Sequence, residues 1–216
     1  MPSAVQFAVL PAVVLSLAAL RPMPTPGVWA THPQAAGTTF TIDPVHSVAL
    51  FRIQHVGAGQ FWGRMNALEG TVVYDAASST PPALNVTAKL ANLDTSSEKL
   101  DGNLKGPNFF NAAEFPELRF VSTGGTKGPE GHWRIEGELT IHGVTKPVSV
   151  DLEVTGVATT PFGTKAGFEA TTTIKRSDFG MTWGVEKPAG VLGDEVRLIV
   201  ALEGDQAKPA EPASGS

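Results

Sequence analysis

The feature that most restricts the fold is a two-residue hydrophobic period running through residues 133–154. Between 133 and 141, Trp133, Ile135, Gly137, Leu139 and Ile141 alternate with Arg134, Glu136, Glu138 and Thr140. Successive side chains of a strand point to opposite faces, so this pattern describes a strand that is dry on one side and wet on the other. The next run repeats it, with Val148, Val150, Leu152 and Val154 set against Ser149, Asp151 and Glu153. Between the two lies His142-Gly143. Glycine, and less readily histidine, tolerates the positive φ that a two-residue hairpin needs. A helix cannot place such a pattern on one face, so the chain is expected to be all-β and antiparallel.

Further strands are expected at 39–43, 47–55, 68–75, 84–91, 117–123, 166–176 and 195–203. Roughly nine strands are enough to close a single barrel. The 23 glycines and 17 prolines fit short strands joined by turns. One segment departs from the sheet. Thr95-Ser96-Ser97-Glu98 has the form of a capping box, with Thr95 as cap and Glu98 reaching back, and opens a short helix to about Leu104. Pro107 and Pro116 then bracket an irregular piece carrying Phe109 and Phe110. Such an excursion suits a lid or plug at one end of a barrel. The folded domain is expected over 38–204, after a linker at 31–37 and before a disordered, low-complexity tail at 205–216.

Residues 4–20 are apolar and uncharged and lead into Pro22, Pro24, Pro26 and Gly27, then Val28-Trp29-Ala30. This reads as an export signal, a signal peptide over 1–30 cut after Ala30, which places the protein in the periplasm or outside the cell. An uncleaved anchor is the alternative, because the first basic residue, Arg21, follows the apolar run instead of preceding it. The net charge of -5 supplies no cationic field for nucleic acid. The absence of cysteine excludes a thiol nucleophile, a disulfide framework, a cysteinyl zinc site and an acylated cysteine.

The remaining chemistry is sparse. His32 lies in the linker and His132 opens a strand on its polar side, while His46, His55 and His142 lack the helical spacing of a metalloprotease. No G-x-S-x-G elbow is present, and Ser47 follows His46 at a strand start. Glu136 and Glu138 belong to a solvated face. Gly57-Ala58-Gly59 followed by Gly63 is not a dinucleotide fingerprint, and a turn between strands accounts for it. No catalytic residue, metal or cofactor is therefore expected. What is abundant is aromatic surface, which serves either a packed core or a pocket wall.

Several motifs resemble the YceI-like family of polyisoprenoid-binding periplasmic proteins. They are Phe40-Thr41-Ile42-Asp43-Pro44-Val45-His46-Ser47, then Phe51 and His55 with Gly63 and Gly70, and Leu104-Lys105 with Phe109-Phe110, Phe115-Pro116 and Phe120. The run from Gly137 to Val148 and the segment Arg176-Ser177-Asp178-Phe179-Gly180-Met181 with Asp194-Glu195-Val196 complete the resemblance, which spans about 38–203. It implies a lipocalin-like barrel of about eight strands, capped by a helical segment and holding a long apolar ligand. The family's ligands would be an isoprenoid quinone, a prenyl phosphate or a fatty amide. A carrier or reservoir role linked to quinone metabolism and stress responses, a transient membrane contact for loading, and in some members a homodimer are also implied. Met65, Asn103 and Asn111 depart from the family pattern, and Asn103 bears on head-group preference if the helix forms the pocket mouth.

On this reading the pocket wall draws on Phe51, Ile53, Phe109, Phe110, Phe120, Trp133, Leu139, Phe168 and Trp183, with Arg52, Arg64 and Lys105 as candidates for the head group. Two rival readings stand beside it. One is an enzyme acting on a lipid or quinone inside the barrel, for which His46 with Asp43, or His55, would supply the titratable groups. The other is a packed barrel serving as a stress-response interaction module.

Overall fold

The computed structural model describes residues 37–185 and 191–207. The expected signal peptide, nearly all of the linker and the tail from 208 onward lie outside the described residues. Eleven strands form one antiparallel sheet. They are β1 (Thr38–Ile42), β2 (Val48–His55), β3 (Gly59–Asn66), β4 (Glu69–Tyr74), β5 (Ala83–Lys89), β6 (Leu93–Asp94), β7 (Glu117–Lys127), β8 (His132–Ile141), β9 (Val144–Thr160), β10 (Gly163–Lys175) and β11 (Leu192–Gln206). Because β1 pairs with both β4 and β11, the order β1-β4-β5-β7-β8-β9-β10-β11 returns on itself as a closed eight-stranded barrel. Closure is what removes unpaired sheet edges.

β11 carries this closure by serving two partners along one edge. Gly204, Asp205 and Gln206 pair with Ile42, Thr41 and Phe40, while Ala201 back to Leu192 pairs with β2. β1 and β2 are thus two parts of one barrel strand, interrupted at 43–47. The Glu203 carbonyl still accepts from the Asp43 N–H at 2.8 Å, but the interruption deprives the Glu203 N–H of a ladder acceptor, and Ser47 replaces it. The buried Ser47 hydroxyl accepts from the Glu203 N–H at 3.0 Å and donates to the Glu203 carbonyl at 3.3 Å, so it repairs backbone and is not an activated nucleophile. Ser122 acts similarly at the β7 bulge, accepting from the Leu84 N–H at 2.8 Å.

The expected His142-Gly143 hairpin forms, with φ of 52° and 72° at its two central residues and Ile141 facing Val144. Other expectations are corrected. β3 occupies 59–66, where glycines suggested only a turn; Gly63 lies within a strand because a Cβ there would enter the Phe51 ring. The helix α1 (Glu98–Leu104) is capped by Ser97, whose Oγ accepts from the Leu100 N–H, and not by Thr95. Thr95 instead donates its N–H and hydroxyl to Asp101 at 2.8 and 2.6 Å. β11 runs through Asp205 and Gln206, which the composition had assigned to the tail, because they face β1 and complete the ring.

The interior is stratified. At the end formed by β1 and β4, Phe168 meets Phe40 edge-on at 6.5 Å and Tyr74 at 5.8 Å, and Trp133, Ile135 and Leu152 pack with them. Toward the other end, β7 is not preceded by a long paired strand. The segment containing α1 and residues 105–116 occupies that interval and brings Phe109 and Phe110 over the interior.

Replacing Phe168 by alanine at the packed end is expected to lower unfolding free energy by about 3–5 kcal/mol, as cavity-forming substitutions of buried phenylalanine do. Urea unfolding followed by tryptophan fluorescence measures it, and a loss below ~1 kcal/mol would show that this layer is loosely packed.

Candidate functional site

Above the Phe168 layer the inward rows do not meet. They enclose a cavity of about 460 Å³, within the ~300–1,000 Å³ typical of small-molecule sites. β2 contributes Phe51 and Ile53, β7 Leu118 and Phe120, and β11 Val196, Leu198 and Val200, each set following the two-residue period of its strand. Small residues create the space. Ala49 and Ala88 are in the wall, and the Phe51 and Phe120 rings lie against Gly63 and Gly137, where any Cβ would collide with them. Leu100, Leu104, Phe109 and Phe110 complete the wall from α1 and the following loop. Phe109 and Trp183 contact each other with ring centroids 5.3 Å apart.

Of the nine wall residues expected from sequence, Phe51, Ile53, Phe109, Phe110, Phe120, Leu139 and Trp183 line the cavity. Trp133 and Phe168 do not; they point inward but belong to the packed layer. Alternation reports which face a residue is on, not its height along the barrel axis. None of the three head-group candidates lines the cavity. Arg52 lies over the Trp62 ring at 5.8 Å, Arg64 binds Asp94 at 2.7 Å with its side chain half exposed, and Lys105 donates to the Ala91 carbonyl at 3.2 Å. Arg52 and Arg64 sit at odds with the inward parity of Phe51, Ile53 and Met65, which explains the miss.

The polar residues of the wall are instead His55, Asn103, Arg119 and Arg176. Arg119 directs its Nε–H to Asn85 Oδ1 at 3.2 Å. Arg176 belongs to one of the motifs that carry the family resemblance and continues the inward parity of Ala170 and Ile174. Among the described residues no carboxylate and no hydroxyl lines the cavity. Of the positions that depart from the family pattern, Met65 and Asn103 line it, whereas Asn111 takes a φ of 46° and donates to Glu114 at 2.9 Å.

Of the groups that an enzyme would need, His55 lines the cavity but the pair of His46 and Asp43 does not. His46 Nδ1 lies 2.7 Å from Asp43, but the pair is in the exposed 43–47 connection, outside the cavity wall. Asp43, His46 and Glu203 present ligand atoms within 4.8 Å of one another, a geometry that a metal ion could use. Lys165 already supplies the compensating charge, at 2.9 Å from Glu203, 2.8 Å from Asp205 and 3.7 Å from Asp43. His142 Nδ1 faces the Phe179 carbonyl at 3.3 Å; a carbonyl only accepts, so Nδ1 carries the proton and the ring is a structural donor. Among the described residues, no helix is long and apolar enough to cross a membrane.

A closed eight-stranded antiparallel barrel with a largely apolar chamber defines the lipocalin-like class of small-ligand barrels. Residues 40–204 match the model of the YceI-like domain, and the chain belongs to that family. A protein designated UPF0312 from Yersinia pestis (strain Pestoides F) is 36% identical over 164 residues, covering 76% of this chain and 83% of its own. The crystal structure of the Campylobacter jejuni YCEI protein superposes with a TM-score of 0.64 at 29% identity, covering 72% of this chain and 91% of that one. A polyisoprenoid binding domain from Saccharophagus degradans shares the fold, with a TM-score of 0.61 at 14% identity over 79% of this chain and 99% of that one.

The hydrogen bond that the His46 Nδ1–H donates to Asp43 holds the imidazole above its ordinary value of 6.5, and the same bond holds the Asp43 carboxyl below 3.8. A raised histidine stabilises fully below 6.5 and loses that effect as pH rises through its folded value. A lowered aspartate stabilises above 3.8 and loses the effect as pH falls through its folded value. The pair is therefore complete between those ordinary values. A proton NMR titration is expected to give a His46 midpoint above 6.5 that returns toward it in Asp43→Asn; an unshifted midpoint in the native protein would remove the bond.

Proposed function

We propose that this protein binds a long-chain amphiphile, a polyisoprenoid or a comparable lipid, in the barrel and acts after export as its carrier or reservoir. The observation that carries this is a chamber of about 460 Å³ whose wall is apolar apart from four side chains. A wall without carboxylate or hydroxyl among the described residues favours retention over acid-base chemistry, and so a binding protein over an enzyme. The Saccharophagus degradans neighbour, described as polyisoprenoid binding, supports the same ligand class.

Energetics suit carriage. Each methylene taken out of water contributes ~0.8 kcal/mol, enough for part of a prenyl chain to outweigh its immobilisation. Relative to a bilayer the gain is close to zero, because the tail is already in hydrocarbon. Loading and release against a membrane are then nearly balanced. The mouth is dressed for such a contact. Val56, at the β2–β3 turn, is 53% exposed, and Trp62 and Trp183 are 46% and 39% exposed. Val56 holds a φ of 46°, a costly conformation for a β-branched residue, and its N–H donates to Val191 of the cavity wall at 3.0 Å. Outside this rim, Arg52 stands directly opposite Arg197 across the β2–β11 pair, a like-charge arrangement that an anionic surface would relieve.

Filling the chamber tests the reading. Val86→Phe with Val200→Phe is expected to shorten the longest prenol retained in native mass spectrometry, whereas Trp133→Phe in the packed layer leaves chain length unchanged. Retention of no lipid by the native protein, or chain length insensitive to the filling pair, would reject it.

Val56→Glu with Trp62→Glu is expected to slow lipid uptake from anionic phosphatidylglycerol vesicles about tenfold or more while leaving equilibrium affinity within about threefold. Uptake at the native rate would exclude the rim as the loading contact.

A further inference from the structure

Arg176 is one of the four polar side chains of the wall, with His55, Asn103 and Arg119, whose chemistry the proposed function does not use. It follows β10 directly, is only 3% exposed, and lines the chamber alongside Met181, Trp183 and Leu192. Its Nε–H donates to the Gly193 carbonyl at 2.7 Å, one Nη1–H to Met181 at 2.8 Å, and one Nη2–H to Leu192 at 3.0 Å. A guanidinium has five N–H donors, so one on each terminal nitrogen finds no acceptor among the described residues. All three partners are neutral carbonyls. They orient the fork without cancelling its charge.

No carboxylate among the described residues reaches ion-pair distance of Arg176. Asp194, next to Gly193 in the chain, is engaged by Ser177, accepting from its N–H at 2.9 Å and its hydroxyl at 2.8 Å. Burial lowers the Arg176 pKa and the charge of Asp194 opposes that shift, but an arginine remains protonated. The result is a buried cation, fixed in direction, in the wall of a site that is apolar apart from His55, Asn103 and Arg119. Buried charges are ordinarily paired, and an isolated one is costly. A mere clamp on three carbonyls explains the three bonds but not the charge left beside the chamber.

Its position matches one end of an amphiphile. Leu192, whose carbonyl holds the fork, faces His55 across the β2–β11 pair, next to the exposed Val56 turn. The opposite end of the interior is closed by Phe168, Phe40 and Tyr74. A ligand entering tail first would place its head beside Arg176. We propose that Arg176 is the head-group anchor of this cavity and that the preferred ligand is a long apolar chain ending in an oxyanion, a phosphate or a carboxylate. Two N–H donors on a planar cation are suited to two oxygens of one such group. This inference rests on the lipid-binding reading and narrows it.

The test compares head groups on one chain in the delipidated native protein. Geranylgeranyl monophosphate is expected to bind about tenfold or more tightly than geranylgeraniol, with the advantage retained at about 0.5 M salt, where exposed charges are screened. Palmitate is expected to outbind hexadecanol in the same way. In Arg176→Met, the phosphate advantage over the alcohol is expected to fall below about threefold. Equal binding of phosphate and alcohol by the native protein overturns the proposal and leaves lipid binding intact. An equal loss of both ligands in Arg176→Met shows a structural role and also overturns it. If that variant fails to fold, the head-group comparison on the native protein decides alone. Failure of every probe to bind the native protein removes the lipid-binding reading itself.

Discussion

Three backbone pairs hold the structure to its purpose. Phe40, Thr41 and Ile42 meet Gln206, Asp205 and Gly204, joining the first strand to the last and turning a sheet into a ring. Every strand of that ring then has two neighbours, and its inward rows are kept from water. Two of the places where a strand is interrupted or bulged are repaired by hydroxyls. Ser47 serves Glu203, and Ser122 serves Leu84. Without such repairs a buried N–H would be left unpaired, at a cost of ~1–3 kcal/mol each.

Once the ring is closed, function becomes a question of how its interior is filled. An eight-stranded barrel is just wide enough for side chains to fill or for one ligand to enter. This chain does both, at different heights. Phe168, Phe40, Tyr74 and Trp133 plug one end, whereas alanines and glycines beneath Phe51 and Phe120 leave room at the other. The α1 segment and the Phe109-Phe110 loop replace paired strand where β7 begins, which gives the chamber a wall of helix and loop beside its wall of sheet. A ligand's route in and out is more readily opened through such a segment than through a hydrogen-bonded ladder.

The charged groups divide in the same way. Asp43, His46, Lys165, Glu203 and Asp205 form a network at the 43–47 interruption, outside the wall, where ion pairs fasten the β1–β11 closure. Arg176 lies inside and is held by carbonyls alone. The contrast separates electrostatics that secures the ring from electrostatics available to a ligand.

What the sequence determined by itself was local. The alternation at 133–154 set the faces of β8 and β9, His142-Gly143 set their turn, and seven of the nine aromatic and aliphatic wall residues followed from parity and motif. The gaps have physical causes. Glycines hid β3, because a missing side chain at Gly63 looks like a turn until the Phe51 ring is seen filling its place. Asp205 and Gln206 looked like tail because only the distant β1 gives them partners. Trp133 and Phe168 share the inward face with Phe51, and only the closed barrel decides which height is packed and which is hollow. Arg52 and Arg64 faced outward while Arg176 faced in, since the burial of a charge depends on what surrounds it in space and not on its neighbours in the chain.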